Sequence, residues 1–434
     1  MGLNIKTMAC NGSCRSCYER SIREVDKDCS YDIDKMMQSL EIQVEKYKKE
    51  NKGALPRSMS VHGGEPLLLK NEDLERILKR MYELKGYTGL QTNLISLRDF
   101  HLDLFQRYKT NVGVSIDGDT AELNYGRWND ARFSMDEVQK QTDGVLDNMR
   151  RVMSANLKLS VIVVLRKYNA VGDRLFELIR SLKRFQYEFG IRSFRMNEGI
   201  VYDPALRAEE ELTAEELGNC YCTLAKEVFD DPYCDWLPYR DVVDLLFGYK
   251  DSTCIFNECD VWKTGAEVTI MGDGSIGGCL KSGGALDGMQ ILAALEGGRE
   301  RYDALLQTPQ EHYGCKGCKY WYMCKGGCPG AGVDNDWRNR TRFCKGWKML
   351  YAYTEKRLRS MMPNIRLVPE FFPYEVTSSI VLASIKDSSW RESKRQKTST
   401  ILKDFKAETE ISPTGVNRPH GDVAHGDHLD KERR

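Results

Sequence analysis

The chain has 434 residues, enough for two or three packed units and too many for one small domain. Its 64 Lys plus Arg balance 64 Asp plus Glu, so no global field favours nucleic acid or an anionic membrane surface. The longest apolar stretches, such as "LKLSVIVVL" at 157–165, are too short to span a bilayer. The opening "MGLNIKTMAC" lacks the apolar region of a signal peptide. Fifteen cysteines in a large leaderless chain therefore point to metal ligation in a cytoplasmic setting rather than to disulfides.

In chain order, short β-rich runs predict strands at Asn4–Met8, Ser58–Val61, Tyr87–Thr92, Asn111–Ile116, Leu157–Leu165 and Ile191–Met196. Helical patterns lie between them. Residues 71–84 place Leu74, Ile77, Leu78 and Met81 on one stripe, and 135–154 places Val138, Val145, Met149 and Val152 on another, behind a capping box at Ser134 to Glu137. Strands alternating with helices imply a parallel sheet, because parallel neighbours need crossover connections. The expected fold is α/β: a partial (β/α)6 TIM-type barrel over 1–205. Ligands of such folds bind at the C-terminal ends of the strands, where "CNGSCRSC", "HGGEP", "QTN" and "SIDG" fall. A helical bridge over 206–250 opens with the box "TAEE" at Thr213 to Glu216. Residues 251–361 form a small cysteine-rich unit, held by metals rather than by a large apolar core and closed by a helix over Phe343–Met361. The polar tail, 362–434, has little to bury and is expected to be largely disordered. Its His420, His425 and His428 read as part of a solvated tail, and no internal repeat is seen.

Cys10, Cys14 and Cys17 crowd one short loop after the first strand. A cubane iron–sulfur cluster takes one thiolate per iron, so three cysteines leave one iron open for substrate. A zinc site completed by a distant residue is the alternative. The Cys10-x3-Cys14-x2-Cys17 spacing resembles the signature of the radical S-adenosylmethionine (radical SAM) superfamily. That resemblance implies SAM as the fourth ligand, cleaved to a 5′-deoxyadenosyl radical, with Cys10, Cys14 and Cys17 as the catalytic cluster ligands. "GGEP", Gly63, Gly64, Glu65 and Pro66, resembles the family's second-strand motif that receives the SAM ammonium. "SIDG" resembles its fourth-strand motif, with Ser115 and Asp117 toward ribose and carboxylate and Arg127 as a carboxylate partner. The large apolar residue usual before the third cysteine is here Ser16, with Tyr18 after Cys17.

Downstream lie Cys254, Cys259, Cys279, Cys315, Cys318, Cys324, Cys328 and Cys344. Their pattern resembles the SPASM extension of radical SAM enzymes, which binds two auxiliary clusters. Carried over by position, Cys259, Cys279 and Cys328 bind auxiliary cluster I, with Cys254 in the place of an upstream cysteine that completes cluster I in some members, and Cys315, Cys318, Cys324 and Cys344 bind cluster II. The cofactors implied are three 4Fe-4S clusters and S-adenosyl-L-methionine. Two four-cysteine zinc sites remain the alternative from spacing alone. The glycines of "VTIMGDGSIGGC" fit a hairpin, and Cys29, Cys220, Cys222 and Cys234 read as small partly buried hydrophobes.

The resemblance implies a radical SAM oxidoreductase maturing a ribosomally made precursor peptide by an oxidative crosslink. A radical dehydrogenase of a sugar or amino alcohol is the alternative. A sulfatase-maturase activity is disfavoured, because Leu280 stands after Cys279 where that subgroup carries an Asp. The partners implied are the precursor peptide and a low-potential electron donor of flavodoxin or ferredoxin type. With nine residues before Cys10, leader recognition is expected in the barrel, in the C-terminal segment or in a separate leader-binding protein. No nucleic acid or membrane partner is expected.

Overall fold

All six expected strands form and lie side by side in chain order, each parallel to the next: β1 (Gly2–Thr7), β2 (Ser58–Gly63), β3 (Thr88–Thr92), β4 (Thr110–Ser115), β5 (Leu159–Leu165) and β6 (Ser193–Glu198). The computed structural model describes residues 2–7, 9–12, 14, 15, 17, 30–128, 133–231, 233–248, 267–279 and 300–371. The crossovers carry α1 (Ile33–Glu50), α2 (Asn71–Lys85), α3 (Asp99–Arg107), α4 (Met135–Ser154) and α5 (Gly172–Glu188). Two of these helices start and run as their sequences dictate. Ser134 Oγ accepts from the Glu137 N–H at 3.3 Å while the Glu137 carboxylate accepts from the Ser134 N–H at 2.7 Å, so α4 opens with both halves of its capping box. The stripes expected on α2 and α4 are buried. Helix α1 was not anticipated from sequence, although Asp32 caps it and Met36, Met37, Leu40 and Val44 are buried on one face.

The strand register separates two kinds of surface. Leu3, Ile5, Met59, Val61, Leu90, Val112, Val114, Val161, Val163, Phe194 and Met196 are buried and apolar, and they meet helices such as α3 and α4. Residues aligned across the other face are mostly small or polar. Lys6 pairs with His62, Gln91 with Gly113 and then Ser160, and Ser115 with Ile162 and then Arg195. A Cβ on Gly113 would lie 2.1 Å from the Gln91 side-chain oxygen, so glycine there leaves the Gln91 side chain its place. One face thus supplies the core, whereas the other can present chemistry at its strand ends.

The sheet is larger than the six strands read from sequence. β7 (Asp235–Leu237) adds to β6, within the stretch expected to be purely helical, and three residues are too few to show a period. The expected glycine-rich hairpin forms from β8 (Glu267–Ile270) and β9 (Ile276–Gly277), but β8 also pairs in parallel with β1. The sheet therefore runs β7-β6-β5-β4-β3-β2-β1-β8-β9. β8 covers an edge of β1 that would otherwise be a liability.

Beyond β6 come α6 (Pro204–Glu210), α7 (Ala214–Asp230), α8 (Tyr239–Leu246), α9 (Glu300–Gln307), α10 (Cys344–Met361) and α11 (Val368–Phe371). α7 begins with the expected box at Thr213 and Glu216. It packs closely on α10 at two glycines: a Cβ on Gly218 would lie 2.4 Å from Met349 Sδ, and one on Gly346 would lie 2.6 Å from the Ala214 carbonyl oxygen. Tyr221 and Trp347 have ring centroids 4.8 Å apart there, and Tyr320 and Tyr351 lie 5.1 Å apart nearby. The cysteine-rich segment was expected to lean on metals in place of an apolar core. Its described part instead shares an aromatic core with the bridge, because the rings that mark its composition pack inward. Buried Leu367 and Val368 carry this packing past residue 361. Residues 372–434, with the three tail histidines, lie outside the described residues, as do Met8, Ser16, Tyr18, Cys29, Cys254, Cys259 and Leu280. Cys220 and Cys234 are buried and Cys222 is half-buried. Among the described residues no helix is long and apolar enough to cross a membrane.

Candidate active site and a second cysteine cavity

The loop after β1 is tied to the ends of several strands. The Glu65 N–H, just past β2, donates to the Ala9 carbonyl at 2.7 Å, next to Cys10. Past β3, Asn93 Nδ2 donates to Asn11 Oδ1 at 2.8 Å, and Asn11 in turn donates to Ser96 Oγ at 2.9 Å. The Arg15 N–H donates to the Gly126 carbonyl at 3.0 Å, and its guanidinium pairs with Glu209 and Glu210 at the end of α6, at 3.0 Å each. These contacts bring the cysteine loop together with the motifs after β2 and β3, and Asp117 of the fourth motif is an electrostatic neighbour of Cys14.

Within the loop, Cys10, Cys14 and Cys17 are all half-buried. Gly12 lies between two of the thiols: a Cβ there would be 3.5 Å from Cys10 Sγ and 3.9 Å from Cys14 Sγ, and the Gly12 N–H donates to Cys10 Sγ at 3.3 Å. Burial pushes the Cys14 thiol up to about 12, helped by Cys17 and Cys10 and opposed by Arg127. A bound metal reverses that ordering, since a coordinating thiol is deprotonated outright.

Asp117, 1% exposed at the end of β4, accepts from Arg127 Nη2 at 2.6 Å and from the Val164 N–H at 2.8 Å. Its own N–H donates to Asn124 Oδ1 at 2.9 Å. Burial works against the Arg127 charge, but the Asp117 carboxylate holds that guanidinium above its ordinary value. Arg127 Nε is buried and has no hydrogen-bond partner among the described residues. An N–H left in this state beside a cysteine loop fits an anionic group of a bound ligand. Ser115 accepts from Gln91 Nε2 at 2.8 Å.

Glu65 is fully buried, and burial raises its carboxyl above the usual range. It accepts from the Leu67 N–H at 3.0 Å, Thr92 Oγ1 at 2.5 Å and the Asn93 N–H at 2.6 Å. A carboxylate has about four lone-pair positions, so the Glu65 side chain largely braces β2 against β3. Gly63 takes a left-handed φ of 122°, and Pro66 opens the one-turn helix Pro66–Leu68.

A second group of thiols is enclosed. Cys315, Cys318, Cys324 and Cys344 line one cavity with Tyr320, Trp321, Gly326, Trp347, Lys348 and Tyr351. This is the set expected at cluster II. Burial pushes Cys315 up to about 12, with Cys318 and Cys344 adding and Arg301 and Arg340 opposing, and burial likewise raises Cys324. Thiols that disfavour one another's ionised form fit a site completed by metal charge. Among the described residues no three Cys, His, Asp or Glu side chains converge tightly enough for one metal ion. A cubane's thiolates bind separate irons and sit farther apart than the ligands of one ion.

Of the four ligands expected at cluster I, Cys279 and Cys328 are described. Both act on Tyr202, whose phenol is raised first by burial and then by Cys328 and Cys279. The Tyr202 hydroxyl is buried and lacks a hydrogen-bond partner among the described residues. Beside it, Arg342 bonds both Glu211 oxygens, at 2.6 and 2.7 Å, and Glu211 accepts from the Val201 N–H at 2.7 Å, joining the end of the barrel to the cysteine-rich unit. The sequence reading missed Arg15, Tyr202, Glu211 and Arg342, none of which was singled out within a motif. Asn93 had one signal, its place in "QTN" just after β3.

Comparison with known proteins agrees with this geometry. Residues 4–179 match the model of the radical SAM superfamily. The cysteine-type anaerobic sulfatase-maturating enzyme of Clostridium perfringens (strain 13 / Type A) is 23% identical over 386 residues, covering 82% of this chain and 96% of that protein. Among solved structures, native anSMEcpe with bound AdoMet and Cp18Cys peptide superposes with a TM-score of 0.59 at 17% identity, covering 84% of this chain and all of that one. Streptococcus suis SuiB superposes with a TM-score of 0.52 at 15% identity, covering 78% of this chain and 76% of that one. The fold is that of radical SAM partial barrels.

Proposed function

From the premise of a radical SAM domain over residues 4–179, and hence an enzyme of radical redox chemistry, we propose that this chain is a radical SAM/SPASM maturase that forms an oxidative crosslink in a precursor peptide. The observation that carries the reading is the meeting of three half-buried thiols with the buried Arg127–Asp117 pair, whose Nε is left without a partner among the described residues. Cys10, Cys14 and Cys17 hold the catalytic cluster. Arg127 receives the SAM carboxylate, the Gly63–Gly64 main chain takes the ammonium, and Ser115 and Asp117 face the ribose. Held by these residues, cluster and SAM would supply hydrogen-atom abstraction chemistry, and the cysteines of the auxiliary sites would hold the groups that take up the electron released when the substrate loses two hydrogens. Cys315, Cys318, Cys324 and Cys344 hold auxiliary cluster II, and Cys254, Cys259, Cys279 and Cys328 hold auxiliary cluster I. A flavodoxin- or ferredoxin-type donor starts the cycle, and any leader of the peptide is held by the barrel, by the C-terminal segment or by a separate leader-binding protein.

The peptide substrate is supported by relatives: one is a sulfatase-maturating enzyme, and one solved structure holds AdoMet with a peptide. The first of these favours a second reading, oxidation of a sulfatase-type cysteine to formylglycine. Leu280, in place of the Asp that subgroup carries after the cysteine matching Cys279, argues for the crosslink instead. The test is mass spectrometry after anaerobic incubation with SAM, a reductant and candidate peptides, including a short peptide encoded beside the gene. The crosslink reading expects a loss of two hydrogens that depends on Cys10, Cys14 and Cys17. Exchange of a cysteine thiol for a carbonyl oxygen would select the sulfatase reading, and SAM-dependent oxidation of a sugar or amino alcohol would overturn both.

A further inference from the structure

Arg301 stands on α9 and is wholly buried. Its Nε donates to the Trp337 carbonyl at 2.7 Å, its Nη1 to Lys325 at 3.2 Å, and its Nη2 to Gly326, Gly327 and Asn339 at 3.3, 3.1 and 3.3 Å. Every one of these acceptors is a neutral main-chain carbonyl. Among the described residues Arg301 forms no ion pair with a carboxylate. Moving a guanidinium out of water costs several kcal/mol after relaxation, and carbonyl dipoles offset only part of that. A buried cation arranged in this way fits a protein that adds an anion next to it.

The surroundings identify that anion. Lys325, Gly326 and Gly327 all take left-handed φ, at 49°, 84° and 71°, and together they bridge Cys324 to Cys328. This run turns its three carbonyls onto Arg301. Gly326 also lines the four-cysteine cavity, and a Cβ on it would come within 3.2 Å of Arg301 Nη2. On the other side of α9, the Cys315 N–H donates to the Leu305 carbonyl at 2.6 Å. Lys348 lines the cavity and donates to the Gln310 side chain, and the charge of Arg340, whose Nη1 donates to the Gly314 carbonyl at 3.0 Å, is felt by Cys315 and Cys344. Among the described residues no acidic side chain lines the cavity. Four thiolates outweigh the charge of the iron–sulfur core they hold, and the reduction potential of such a cluster follows its net charge and hydrogen bonding.

We propose that Arg301 is the fixed counter-charge of the cluster held by Cys315, Cys318, Cys324 and Cys344. Held under the chain that joins Cys324 to Cys328, it raises the reduction potential of that cluster and makes the four-cysteine site the favoured resting place for an electron. Arg301 is a positioning residue that acts through the electrostatic field. This rests on the proposed assignment of an iron–sulfur cluster to the cavity.

The experiment is an EPR-monitored redox titration of the full chain, in a background with Cys10, Cys14 and Cys17 replaced by Ala so that only auxiliary signals remain. Iron and zinc are measured first. Zinc at the four cysteines overturns the cluster assignment and the role of Arg301 with it, whereas full iron with an unmoved potential overturns only the role of Arg301. Arg301→Gln is expected to lower one auxiliary midpoint, so that at a fixed potential the reduced-to-oxidised ratio falls about tenfold, which is 59 mV for a one-electron couple. Arg301→Lys keeps the charge and is expected to titrate like the parent. If Arg301→Gln does not hold iron, Arg301→Lys decides. Iron retained with the parental potential supports the counter-charge, and loss of iron in both variants shows a staple for carbonyls and overturns it.

Discussion

The two described groups of cysteines differ in the way their functions would require. Cys10, Cys14 and Cys17 sit on a loop at the strand ends, half-buried, and are positioned by single bonds to separate elements: Glu65 to Ala9, Asn93 to Asn11, Gly126 to Arg15. Cys315, Cys318, Cys324 and Cys344 line a cavity walled by Tyr320, Trp321, Trp347 and Tyr351. Three thiols at the strand ends leave a position for a reacting molecule. Four thiols walled by aromatic rings, with Cys315 and Cys318 buried and Cys324 and Cys344 half-buried, suit storage of an electron, because surroundings and fixed charge set the potential. Beside the first group stands an ion pair with a buried N–H that has no partner among the described residues, Arg127 with Asp117.

The sharpest way to break this comparison is to remove one group at a time. Replacing Cys10, Cys14 and Cys17 together by Ala is expected to abolish 5′-deoxyadenosine formation while the protein keeps about 8 of about 12 irons, one cubane being lost of three. Iron analysis with SAM-cleavage assays checks this, and cleavage at the parental rate would place the catalytic cluster elsewhere. The converse variant, Cys315→Ala with Cys318→Ala, is expected to remove about four irons and to uncouple the reaction. 5′-Deoxyadenosine should still form while modified product falls at least tenfold. Equal loss of both would show that the four-cysteine site is needed for cleavage itself.

A smaller effect separates ligand binding from folding. Arg127→Met leaves the buried Asp117 carboxylate with the Val164 N–H but without its cation. Removing one partner of a buried pair costs roughly 3–5 kcal/mol, read as a lower denaturation midpoint, and SAM affinity measured by calorimetry should fall at least tenfold. A normal SAM affinity in a destabilised protein would make Arg127 purely structural. The smallest change lies outside both cysteine groups. Ser134→Ala removes one half of the α4 capping box and is expected to cost about 1 kcal/mol, with iron content and SAM cleavage unchanged.

Much of the barrel was legible because it rests on local signals. The capping boxes at Ser134 and Thr213, the stripe from Leu74 to Met81 and the six β-rich runs all gave the elements expected, with ends shifted by at most two residues. β7 and the pairing of β8 with β1 were not legible. A strand of three residues has no period to read, and the partner of an edge strand is chosen by what lies beside it in space. Glu65 shows the same limit at the site. Its motif was visible, but its commitment to Leu67, Thr92 and Asn93 depends on how β2 and β3 come together.

The sequence by itself placed three thiols in one loop after β1, because spacing within a loop is a local property, whereas setting Cys344 rather than Cys328 with Cys315, Cys318 and Cys324 was an implication of the family resemblance, and these four line one cavity. The tertiary structure alone decided what surrounds them. Arg15 meets Glu209 across 194 positions and Arg342 meets Glu211 across 131, and Arg301 reaches the carbonyls between Cys324 and Cys328 from a separate helix. An ion pair or a buried charge takes its meaning from the groups packed against it, and those groups are brought together only when the sheet and the α7–α10 pair close their cores.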